Sequence, residues 1–336
     1  MKVLRIWLAA MLGMFISMAT QMQYSMMAIV FAAAMMAMFD RWTFPVIKQL
    51  ILGSLSAAIQ ANIILGLFPD SPVLMSAAVS LVMLEKCFLM NFSHGKLYGL
   101  VGLIIGSILL CAGGYSNFQI MDFTINLLVA ILLSAAISAV CLWLLPEPED
   151  TQLKPAPAQV ENSSTDVFKQ TLLAWTLAMS AFFIYQFMNL SDSFSAYSSI
   201  LVILMPLTMS GIASMAKIRI KGTLIGCGMA LVIQLISFWF AYNPILTFLA
   251  FSIAAGIVAR IMAKGGLEAS VGTAAMSGLA IPIAGYMVPH QQDAIFKVLY
   301  RISSVTFAVI AATTFVYMVH WFIEYTHQRY SKKVRI

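Results

Sequence analysis

Asp293, Lys297 and Arg301 stand four residues apart, so they share one face of a helix. Two cations on one face make a place where a carboxylate can pause, and these three residues are candidates for the outer end of a substrate path. The competing use is an interfacial ladder of snorkelling cations. A second basic group, Lys217, Arg219 and Lys221, runs into Gly222 and Thr223. It reads as a cytoplasmic helix start, where free N–H groups and cations together contact an anion. Gly222, Gly226 and Gly228, like Gly95, Gly99, Gly102 and Gly106, are also spaced for close helix packing.

Glu85 and Lys86 are adjacent in an apolar run, and Arg260 lies at a comparable depth in another. A charge at the bilayer centre costs about 3 kcal/mol, so these groups should face protein or water. Neighbours on a helix diverge by about 100°, so Glu85 and Lys86 are not expected to pair with each other. His320 and Glu324, four apart, can meet; with Glu85 they are the candidates for a proton relay, the alternative being an interfacial hydrogen-bonded pair. Gln60, Asn62, Asn126, Gln186 and Gln234 either line a path or tie helices together. Pro206 and Pro282 fall inside apolar runs and predict kinks. The run Ala280 to Gly285 is the better candidate for a broken, path-lining segment, because carbonyls freed in lipid need protein or water as partners.

Other chemistries lack their residues. There is no GxxxxGK[ST], no HExxH and no GxSxG, so the sequence gives no nucleotide, metal or acyl-transfer signature and no catalytic residues are assigned. No cofactor is expected. Cys87, Cys111, Cys141 and Cys227 sit in apolar runs without CxxC spacing and read as packing residues.

The elements that must position these side chains follow from composition. With 61% hydrophobic and 10% charged residues over 336 positions, the chain is read as an all-α polytopic membrane protein in contact with the lipid bilayer. Apolar runs place twelve spans near 5–20, 24–39, 46–67, 73–90, 97–114, 123–145, 168–188, 194–216, 220–241, 244–263, 268–288 and 293–324. The first is read as a retained helix, since its cleavage as a signal would leave five spans in the first half. With the N-terminus inside, 17 of the 19 Lys and Arg fall on the cytoplasmic side, leaving only Lys297 and Arg301 outside. Both termini are therefore expected in the cytoplasm, and the net charge of +6 reports topology rather than nucleic-acid binding.

The stretch 146–167, with four prolines and no apolar periodicity, reads as a flexible cytoplasmic linker between a first six-helix unit, 1–145, and a second, 168–325. Residues 326–336 form a basic cytoplasmic tail. The halves resemble each other in order: KQLILG at 48–53 matches KGTLIG at 221–226, Pro72 and Ser80 match Pro244 and Ser252, and Asp122 matches Asp293. Offsets of 171 to 173 predict a duplication, and an even number of spans per copy makes the repeats parallel.

This order of features resembles the membrane unit of the FUSC-type superfamily, the fusaric acid resistance and aromatic acid exporter proteins. The similarity rests on the basic loop and glycine-spaced helix of Lys217-Ile218-Arg219-Ile220-Lys221-Gly222-Thr223-Leu224-Ile225-Gly226, and on Arg301 at the start of the last helix. The chain departs from the pattern in having no large cytosolic domain, in carrying Lys48-Gln49 in the first copy, and in Ala130 where Arg301 stands in the second. The resemblance implies a compact, non-enzymatic efflux component of a bacterial inner membrane. It would export small amphipathic or aromatic organic anions beside a periplasmic adaptor of the membrane-fusion type; a homo-oligomer is left open. Two other readings compete. A major-facilitator transporter would carry glycines around Asp40-Arg41, which are missing here, and an enzyme or assembly subunit for lipid-linked substrates would have only His320 and Glu324 as a catalytic pair.

Overall fold

In lipid a backbone must satisfy its own N–H and C=O groups, and an apolar chain without strand-like alternation does so as helices. The computed structural model describes residues 1–20, 26–38, 44–92, 94–115, 119–146, 164–190, 193–239, 243–286 and 294–334. Among them are twelve α-helices and no strands: α1 Lys2–Thr20, α2 Met26–Met38, α3 Phe44–Leu67, α4 Pro72–Leu89, α5 Lys96–Gly113, α6 Ile120–Leu144, α7 Ser164–Phe187, α8 Phe194–Ile203, α9 Met209–Trp239, α10 Pro244–Ala263, α11 Gly266–Tyr286 and α12 Ala294–Val334. Ten of these are long and apolar enough to cross a bilayer, and α2 and α8 are shorter apolar helices. The chain is a multi-pass, all-α membrane protein, and exposed side chains such as Phe307, Ile253 and Leu249 meet lipid. Most of the expected linker, 147–163, lies outside the described residues.

Four expectations about helix limits need correction. The eighth span was expected over 194–216, but α8 stops at Ile203. Pro206 supplies no N–H, and Leu207 takes a left-handed φ of 57°, so the proline ends a helix instead of kinking one. The next helix consequently starts at Met209, eleven residues before the expected 220, and runs for 31 residues, about 46 Å. Lys217, Arg219, Lys221, Gly222 and Thr223 thus lie within α9, where the N–H groups serve the helix, and not at a helix start. Third, α11 continues through Pro282, so the segment 280–285 is unbroken helix. Helix α12 also runs past the expected 324 to Val334.

The described chain forms two compact units. The first contains α1, α2, α6, α10, α11, the start of α3, α9 from Lys217 and α12 to Ser304. Its core interleaves Ile6, Met14, Ile29, Met36, Phe251, Val258, Met262, Met276 and Leu279. Here α1 packs on α2 and α10, and α11 packs on α10 and α2. The second unit contains α4, α5, α7, α8 and α3 from Ser56, and in it α7 packs on α8 and α4 while α5 packs on α4 and α8.

These packing plans are the same once α1, α2, α10 and α11 are matched to α7, α8, α4 and α5. Detailed contacts repeat as well. Trp7 donates through Nε1 to the Ser252 carbonyl at 3.0 Å, and Trp175 donates to that of Ser80 at 3.1 Å. Gly272 lies against Met262 as Gly99 lies against Met90. Both α4 and α10 open with proline, Pro72 and Pro244. Each unit therefore draws its helices from both halves of the sequence.

Candidate functional site

Helix α4 carries Glu85 and Lys86 near its C-terminal end, and α3 offers Ser56 and Gln60 one turn apart. Tyr98 stands in the first turn of α5. The two helices of this hairpin approach closely because Gly99 has no side chain: a Cβ there would lie 2.7 Å from the Lys86 carbonyl oxygen and 2.9 Å from the Met90 nitrogen. Close approach brings Tyr98 over Lys86, whose Nζ lies 4.5 Å from the ring centroid.

Lys86 is wholly enclosed. Its ammonium donates to Glu85 Oε1 at 3.1 Å, to Tyr98 OH at 3.2 Å and to Ser56 Oγ at 3.4 Å. An ammonium has three donors, so all are used. The other carboxylate oxygen, Oε2 of Glu85, accepts from Gln60 Nε2 at 3.0 Å. The expectation that Glu85 and Lys86 do not pair is thus overturned: their Cβ directions diverge, but the four methylenes of lysine bend the ammonium back around the helix to its neighbour.

The pair is uneven. Lys86 is 0% exposed and Glu85 44% exposed. Glu85 forms part of the wall of a cavity of about 770 Å³ in the second unit, otherwise lined by Leu81, Leu84, Phe88, Phe92, Val167, Phe168, Thr171 and Leu172. Phe88 and Phe92 meet edge to face at 5.1 Å. Thr171 is held by Asn91, whose Nδ2 donates to Thr171 Oγ1 at 2.9 Å. An apolar, aromatic cavity of this size with one convergent ionic group has the makings of a small-molecule site.

The remaining candidates are placed as follows. Gln234, almost fully buried, donates to the Pro282 carbonyl at 3.4 Å, which joins two residues selected separately from the sequence. Arg219 and Arg301 come within electrostatic range of each other, with the Arg301 guanidinium against the Cys227 thiol. Helix α9 meets α11 over small residues, Gly222 and Gly226 facing Ala274 and Ala275. Arg301 Nε is buried without a hydrogen-bond partner. Lys297, by contrast, is exposed, as are Lys217, Lys221 and Arg260. Lys221 reaches Glu268 at 4.0 Å, an exposed pair of small energetic weight. Thr223 is buried in α9. His320 is half-buried in α12, whereas Asp293 and the side chain of Glu324 lie outside the described residues. All four cysteines are free and buried.

Three groups were missed as site residues. Lys86 was weighed as a charge but not assigned a role, and Tyr98 and Ser56 carry no spacing signal that links them to it. Arg5, assigned to topology, is 1% exposed. Tyr197, fully buried, has its ring centroid 4.8 Å from that of Tyr185 with the planes tilted by 40°, and its hydroxyl lies by that of Ser107.

Residues 2–141 match the model of a family described as "Protein of unknown function (DUF2955)". The matched segment carries Ser56, Gln60, Glu85, Lys86 and Tyr98, and ends before Arg219 and Arg301. No curated protein and no solved structure matches the chain.

Proposed function

We propose that the chain is a bacterial inner-membrane efflux transporter component for small amphipathic or aromatic organic anions. The observation that carries this reading is the enclosed Lys86, whose carboxylate partner forms part of the wall of an aromatic cavity. An aromatic acid offers the matching parts: a ring for Phe88, Phe92 and Phe168, and an anion for the ammonium. The resemblance to fusaric acid resistance and aromatic acid exporter proteins supports efflux, and with it a periplasmic membrane-fusion adaptor as partner. The bias of Lys and Arg toward one set of loops supports cytoplasmic termini.

The chain carries no nucleotide-binding motif, so the driving force in this proposal is the membrane potential. An inside-negative potential expels an anion with about 2.3 kcal/mol per charge per 100 mV. The test uses purified protein in liposomes loaded with 2-naphthalenesulfonate, an anion that stays charged and does not leak as a neutral acid. Imposing an inside-negative potential with valinomycin and potassium should accelerate release, and Lys86→Gln should return release to the rate of empty liposomes. Release that is independent of the protein at every potential would refute the proposal.

A further inference from the structure

We infer that Glu85 is a displaceable stand-in for the substrate's carboxylate, occupying from within the chain the place at Lys86 that a bound aromatic acid takes. This rests on the anion-efflux reading and gives it a binding step.

The inference follows from the unevenness of the pair. Lys86 cannot leave: it is wholly enclosed, its three donors are engaged, and the ring of Tyr98 covers it. Nor can it stand without an anion, because an enclosed ammonium stripped of its counter-charge is strongly destabilising. Ser56 and Tyr98 are neutral and hold the ammonium whichever carboxylate faces it. Glu85 is different, being nearly half exposed at the cavity wall. It reaches Lys86 only because the lysine bends back toward it, and each of its oxygens accepts one hydrogen bond, from Lys86 and from Gln60.

A carboxylate arriving from the cavity meets the same two donors at the same spacing. Lys86 Nζ and Gln60 Nε2 bind its two oxygens while its apolar body lies along Leu81, Phe88 and Phe168. Glu85 then turns outward and is solvated. No bond is made or broken, and the enclosed cation keeps one anion throughout. Competition from Glu85 weakens binding and hastens release, as a carrier needs. A neutral amide cannot replace the charge, and an organic cation meets Lys86.

The test is binding of benzoate to the purified full chain, measured by calorimetry, with benzamide as the uncharged control. Glu85→Gln removes the competitor and should bind benzoate about tenfold more tightly than the parent, equivalent to about 1.4 kcal/mol. Glu85→Ala should shift the same way. Both variants leave Lys86 without its counter-charge, so both should unfold earlier than the parent and regain stability when benzoate is added. Failure to fold even with benzoate present overturns the stand-in. Glu85→Asp, which keeps the charge, should stay within about twofold of the parent. Parent protein that binds benzoate while Glu85→Gln and Glu85→Ala bind it no better overturns the stand-in and leaves the anion reading standing. No benzoate binding by any variant overturns the anion reading itself. Benzylammonium binding that is lost in Glu85→Gln would make Glu85 a cation receptor and overturn the inference.

Discussion

Trp175 repeats in one unit what Trp7 does in the other: each indole N–H crosses to a serine carbonyl, Ser80 at 3.1 Å and Ser252 at 3.0 Å. The serines are 172 residues apart and the tryptophans 168, so two stretches of sequence meet their partners in the same way. Since Trp7 lies in the first half and Ser252 in the second, while Trp175 lies in the second and Ser80 in the first, each bond links the halves.

Trp7→Phe and Trp175→Phe should therefore destabilise to a similar degree. Each removes one donor and leaves the aromatic packing largely in place, a loss of about 1 kcal/mol. Thermal unfolding in detergent should show a fall of about 2 °C for each and close to the sum for the double variant. A large loss at one tryptophan and none at the other would contradict the shared design.

Helix α9 offers a contrast between two glycines. A Cβ at Gly226 would run into the backbone of Ala275, whereas nothing lies within 4 Å of one at Gly228. Gly226→Ala should lower the yield of folded protein, because backbone cannot yield as a flexible side chain can. Gly228→Ala should be neutral or stabilise by up to about 1 kcal/mol through helix propensity. Fluorescence-detected size exclusion with a melting series checks both, and equal behaviour of the two would refute the crossing.

Tyr98→Phe keeps the ring over Lys86 but removes an acceptor for one enclosed N–H. An unsatisfied donor costs about 1–3 kcal/mol, so the variant should unfold earlier than the parent. Tyr98→Leu, which loses the ring as well, should be less stable still. A thermal series in which Tyr98→Phe matches the parent would show that the hydroxyl does not hold the ammonium.

The bias of Lys and Arg toward one side predicts that a reporter fused after Ile336 is active in the cytoplasm; Arg219 and Arg301, which lie within electrostatic range of each other, are not counted on opposite sides. Alkaline phosphatase and green fluorescent protein fusions read the two sides. Phosphatase activity without fluorescence would reverse the assignment.

The sequence by itself determined the all-helical membrane class and the location of most spans. Apolar runs and the need to close hydrogen bonds in lipid are local facts, and α3, α4, α5, α6, α7 and α10 begin and end within a few residues of where composition put them. It also held the repeat offsets on which Ser80 and Ser252 lie. Only the tertiary structure decided the rest. Helices that are apolar nearly all round carry no stripe to say which face meets which neighbour, so the partnering of α1 with α10 and α7 with α4 was not legible. Pro206 was read as a kink because its run looked continuous, but the turn at Leu207 ends the helix and extends the next one back to Met209. Arg219 and Arg301 were candidates in separate sets, and folding brought their charges into range. Glu85 and Lys86 were held apart by helix geometry at Cβ, but a lysine acts at the end of a flexible arm. Where that arm points depends on Ser56 and Tyr98, which packing delivers and spacing does not reveal.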